Sequence, residues 1–206
     1  MRNILFAAAA VAAVLGGLYA GQLTFASDPA DEGSAAGGAA RAETLAAMQA
    51  QAVGQMAGLT VHDAPEALPA VTLLDPDGAE IDLSAFQGEV VLMNFWATWC
   101  APCRREMPSI DRLAGALSDQ EGFRVVAVSL DRGGPEKPAA FLEEIAASRL
   151  ALYRDPSFKI ARDLGLLGLP VTLVIDASGQ EAARLVGHAE WDAPEAQALL
   201  RTLIAN

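Results

Sequence analysis

The chain has 206 residues, with 26 acidic side chains against 14 basic ones and a formal net charge of -12. Such a surplus repels phosphate backbones and anionic headgroups alike, which argues against nucleic acid as a partner and against attachment to lipid through charge. Only two cysteines and two histidines are present, and His62 and His188 lack the spacing of a four-ligand zinc centre, so a structural metal site is disfavoured.

Met1-Arg2-Asn3 is a short basic start, followed by an uncharged stretch from Ile4 to Leu23. Its 20 residues are long enough to span hydrocarbon as a helix and exceed the usual core of a cleaved signal. Residues 1–25 are therefore expected to be a signal anchor or transmembrane helix, with cleavage after Ala26 as the competing reading. Arg2 would stay in the cytoplasm and everything beyond Leu23 would be exported, placing the catalytic domain at the cytoplasmic membrane and facing the periplasm or cell exterior. Residues 26–59 read as a linker, flexible over 28–40 and partly helical over 41–57, where Leu45, Met48, Ala52 and Met56 form one stripe.

From Thr60 onward the length suits one domain. Short strands are expected at 71–74 and 80–83 around the Asp75-Pro76-Asp77-Gly78 turn, then a strand at 90–96 whose continuous apolar run suits burial on both faces. A helix over 102–117, a strand over 123–129 and a helix over 135–147 follow. A short helix at 158–164, a hairpin of 171–175 with 182–186 and a closing helix at 194–204 complete a mixed sheet flanked by helices, an α/β fold.

The chemistry concentrates at Trp99-Cys100-Ala101-Pro102-Cys103. Helical positions i and i+3 share a face, within the roughly 4.4 to 6.8 Å of Cα separation that a disulfide accepts, so the pair can close and reopen without rebuilding the backbone. Pro102 suits the first helical turn. Cys100 would then sit at the helix N-terminus, where orphan N-H groups and the macrodipole favour a thiolate, while Cys103 is more shielded. These positions make Cys100 the attacking sulfur and Cys103 the resolving one. A purely structural bridge across four residues would constrain the unfolded chain little.

With these segments the chain resembles the thioredoxin superfamily, and more narrowly the membrane-anchored TlpA/ResA/CcmG kind of thiol-disulfide oxidoreductase. The resemblance rests on residues 91–108, on Gly168-Leu169-Pro170-Val171-Thr172, and on Leu173-Val174-Ile175-Asp176 with Gly179. It implies a thioredoxin-like fold, a cis proline at Pro170 opposite the disulfide, and Leu169 main-chain groups that pair with an extended substrate. Trp99, directly before Cys100, is expected in an exposed docking surface, and Trp96 in the core. Glu106 stands one turn after Cys103, and its carboxylate would lean back toward the sulfurs as the proton acceptor for Cys103. Asn94 occupies the strand position where the usual thioredoxin has a buried Asp. Arg104 and Arg105 either lower the Cys100 pKa, steer an acidic partner or are merely solvated.

The resemblance further implies reduction of disulfides in exported clients, in cytochrome c maturation (apocytochrome c) or in assembly of oxidase copper sites. No cofactor beyond the Cys100 and Cys103 dithiol is implied, and a membrane thiol donor would return its electrons. Competing readings are a dithiol oxidase, a Cu(I) carrier using the same two thiolates, and a peroxidase. A carrier has no need of Pro170, and a peroxidase does not usually keep its resolving cysteine three residues away.

Overall fold

The computed structural model describes residues 29–206. Among them the chain forms α1 (Pro29–Gln51), β1 (Leu59–Ala67), β2 (Thr72–Leu74), β3 (Glu80–Asp82), β4 (Val90–Trp96), α2 (Ala101–Ala116) and β5 (Phe123–Ser129). Then come α3 (Glu136–Glu144), β6 (Leu152–Arg154), α4 (Lys159–Asp163), β7 (Val171–Ile175), β8 (Gln180–Val186) and α5 (Pro194–Ile204), with short 3-10 turns at Gly54–Met56 and Leu83–Phe86. The expected anchor at 1–25 lies outside the described residues. No helix among the described residues is long and apolar enough to cross a membrane.

The strands make one mixed sheet in the order β1-β8-β7-β4-β5-β6-β2-β3, with β4, β5 and β6 parallel and the remaining pairings antiparallel. All seven residues of β4 are buried, as its unbroken apolar run requires of a strand covered on both faces. The strand period of two then divides its side chains. Leu92 and Trp96 enter the core cluster that holds Met48 of α1, Met107 of α2, Phe141 of α3 and Leu199 of α5. Val91, Met93 and Phe95 enter the opposite cluster with Ile160 of α4 and Phe86. Asn94, between Leu92 and Trp96, thus faces the α2 side, and by the same alternation Thr172 of β7 does too.

Residues 29–40 differ from the flexible tether expected over 28–40, since α1 is helical from Pro29 and runs straight through Arg41, where the sequence places the start of the helix. Alanine-rich sequence and a proline at the first helical position account for this start. The helix also stops short of Ala57, at Gln51, before Gly54 takes φ +55° and a 3-10 turn follows. Nor is the segment a bare linker. Leu45, Met48 and Met56 are buried in the core, and Arg41 reaches Asp176, Ser178 and Gln180 in the β7–β8 turn.

Two strands have no counterpart in the sequence reading. β1 pairs with β8 through an irregular register between Val61 and Glu66, and its Pro65 is tolerated because β1 is an edge strand with a break in its ladder. β6 is three residues long and joins β5 to β2.

Candidate active site

The site begins where β4 ends. Ala97 is buried, and Asp131, just past the end of β5, accepts hydrogen bonds from Thr98 N-H at 2.8 Å and Thr98 Oγ1 at 2.6 Å. Ser129 Oγ donates to the same carboxylate at 3.0 Å. This buried Asp131 clamps the loop that delivers Cys100 to the start of α2. Cys100 is the N-cap residue, its Sγ accepting from Cys103 N-H at 3.2 Å. Cys100 and Cys103 form a disulfide with their Cα atoms 5.3 Å apart, inside the separation anticipated from the spacing. Cys100 keeps 5% exposure and Cys103 none, so an incoming sulfur can approach the first and is kept from the second.

One turn along α2, Glu106 is completely buried. Asn94 Nδ2 donates to its Oε1 at 2.8 Å, and Ala189 N-H donates to its Oε2 at 3.3 Å. Burial pushes its carboxyl up to about 8, outweighing these two donors, and Glu190 adds like-charge repulsion. With Cys100 and Cys103 joined as a disulfide, neither sulfur carries a proton to share with this carboxyl group. Both oxygens are engaged by β4 and by the loop after β8, and neither hydrogen-bonds to sulfur among the described residues.

Three groups around Glu106 are not anticipated from the sequence. Thr172 Oγ1 accepts from Asn94 Nδ2 at 2.9 Å. Ser109 Oγ donates to Glu106 O at 2.8 Å and accepts from Trp191 N-H at 3.0 Å, which fixes the 187–191 segment against α2. A readable signal did exist for Thr172, since Asn94 and Thr172 are each the lone polar residue in an otherwise apolar strand and pair in register. The main-chain donor of Ala189 carries no such signal.

On the approach side, the Leu169-Pro170 peptide is cis, as the resemblance implies. Pro170 is buried, Leu169 half-buried, and the Leu169 N-H and C=O make no hydrogen bond among the described residues. Trp99 is 61% exposed and Trp96 fully buried. A shallow groove beside Trp99 is lined by Arg104, Lys137, Phe141 and Glu144. The Arg104 guanidinium lies 4.7 Å from the Phe141 ring centroid and 3.6 Å from Glu144, so it is committed to α3, while Arg105 is exposed. His62 sits 3.0 Å from Glu181 on β8 and His188 3.6 Å from Glu190.

The arrangement can therefore exchange a dithiol for a disulfide and hold a proton next to it. The chain matches the AhpC/TSA family over residues 65–180, more than half of its length. It is 37% identical over 122 residues to the thiol:disulfide interchange protein HelX of Rhodobacter capsulatus, covering 58% of this chain and 65% of that one, just under two thirds. With the thiol-disulfide oxidoreductase ResA of Bacillus cereus it shares 29% identity over 128 residues, covering 58% and 68% of the two chains. A secreted thiol-disulfide isomerase from Corynebacterium glutamicum superposes with a TM-score of 0.60 at 24% identity, over 70% of this chain and 92% of that one, and shows the thioredoxin-like fold. The chain belongs to the AhpC/TSA family.

Proposed function

We propose that this member of the AhpC/TSA family is an exported thiol-disulfide oxidoreductase that reduces disulfides in client proteins. The observation that carries the reading is the Cys100–Cys103 disulfide at the N-terminus of α2, backed by the buried Glu106. In the reduced enzyme the Cys100 thiolate attacks one client sulfur; the client S-S bond breaks and a mixed disulfide forms. Glu106 takes the proton of Cys103, whose thiolate attacks the Cys100 sulfur and releases the second client thiolate. Two electrons pass from the dithiol to the client, and a membrane thiol donor returns two. Leu169 main-chain groups, Pro170 and Trp99 hold the client segment beside the disulfide.

Residues 1–25 anchor this domain in the cytoplasmic membrane with the disulfide facing the periplasm or cell exterior. Clients are apocytochrome c or proteins of oxidase copper sites, as the resemblance to the TlpA/ResA/CcmG group suggests. The dithiol requires no further cofactor.

The test is capture. Cys103→Ser is expected to accumulate a covalent, reductant-sensitive complex with client proteins identifiable by mass spectrometry, whereas Cys100→Ser yields no complex and no turnover. A reduction potential near the oxidising extreme of about -120 mV would overturn the reductase direction, since the dithiol would then be the more stable form.

A further inference from the structure

The Glu106 carboxyl group meets hydrogen-bond donors on both oxygens, Asn94 Nδ2 on Oε1 and Ala189 N-H on Oε2. That set suits a carboxylate. A protonated carboxyl brings its own O-H to a site already furnished with donors and short of an acceptor. Ala189 contributes main chain and cannot invert, but Asn94 carries both kinds of group on one rotatable amide. Its Oδ1 is buried and has no partner among the described residues. Thr172 completes the pattern, because its hydroxyl now accepts from Asn94 Nδ2 and can equally donate.

We propose that Asn94 is a positioning residue whose side-chain amide turns over with the protonation of Glu106. Resting on the oxidoreductase reading above, the inference deepens it. With Glu106 ionised, Nδ2 donates to Glu106 Oε1 and to Thr172 Oγ1, the orientation seen. With Glu106 protonated, the amide rotates by half a turn. Oδ1 then accepts from the Glu106 O-H and from the Thr172 O-H, so each state keeps two hydrogen bonds. The change needs no movement of β4, β7 or α2, which suits a base that must take and return a proton in each cycle inside a close-packed core. Among the described residues the charged group acting on this site is Glu190 in the loop after β8, while Cys103 lies one turn before Glu106 on α2 and gains a titratable thiol on reduction. Glu190 is itself held by His188 at 3.6 Å and by Arg112 at 3.7 Å.

The experiment is side-chain NMR on the full chain with 13C-labelled glutamate and 15N-labelled asparagine, titrated from about pH 6 to about pH 10, a range that brackets the raised Glu106 ionisation. Nuclear Overhauser contacts from the Asn94 amide protons to the Thr172 methyl are expected above the Glu106 midpoint and lost below it. The Asn94 amide shifts should follow the same midpoint as the Glu106 carboxyl carbon. Contacts of equal strength on both sides of that midpoint overturn the proposal. As a second readout, Asn94→Leu is expected to slow resolution of the mixed disulfide several-fold at neutral pH while the alkylation rate of reduced Cys100 stays at the wild-type value. An unchanged resolution rate counts against the proposal. If the wild type reduces no client while the Asn94 contacts still switch, the oxidoreductase reading fails and the amide inference stands.

Discussion

Glu106 spends stability on having its proton available. Its carboxyl is raised from 4.5 to about 8 by burial, so in the folded state it stays neutral over a range where the unfolded chain ionises freely. Below about pH 4.5 both states bind the proton and the group is neutral toward folding; as pH climbs toward 8 the unfolded state gains progressively, and stability falls. The full shift corresponds to about 5 kcal/mol. Glu106→Gln removes the titration while keeping the bulk of the side chain. Denaturant melts of the oxidised protein are expected to show the wild type losing stability between pH 5 and pH 8 relative to the variant, and a constant difference across that range would contradict the burial argument. The pieces of this site were unequally readable. Cys100, Cys103, Glu106 and Asn94 announce themselves through spacing or as polar residues in apolar context. Ser109 and the Ala189 N-H do not, since one is an ordinary helical serine and the other belongs to the backbone.

At the level of elements, α1 shows how a tether and a core helix can look alike in composition. Its alanines and glycines offer little apolar contrast, and only Leu45 and Met48 mark the face that packs on α5 and β1. Both are buried, Met48 completely, and Gln51 Nε2 adds a hydrogen bond to Thr202 Oγ1 at 2.9 Å. Met48→Ala is expected to cost about 2–5 kcal/mol in denaturant unfolding, the range for emptying a large buried side chain. A loss below 1 kcal/mol would mean that α1 is only loosely docked. β4, α2, β5, β7 and α5 were readable to within a residue or two because their periodicity and caps agree. β1 was not, because Asp63, Pro65 and Glu66 break its alternation and its strand character comes from pairing with β8. β6 is too short for any period to show.

Across the whole molecule the sheet is unevenly fastened. Its centre is the β4–β5 and β4–β7 ladders, seven and five register pairs in length, buried between two hydrophobic clusters. The β2–β3 hairpin at one edge is joined to the remainder of the sheet by a single register pair, Leu74 with Arg154. Its core contribution is Leu73, with Val71 just before it. The disulfide loop hangs from the strong centre, through Trp96 and the Asp131 clamp, rather than from the weak edge. Local opening free energies follow buried contacts and ladder length, so native-state amide exchange is expected to separate the two regions. Amides of β4 and β7 should exchange only through global unfolding and lose protection in step with denaturant. Those of β2 and β3 should exchange through a smaller opening, at a lower free energy and with weaker denaturant dependence, leaving the redox rate untouched. Equal protection in both regions would show that the hairpin is held by more than its one pairing and its two core side chains.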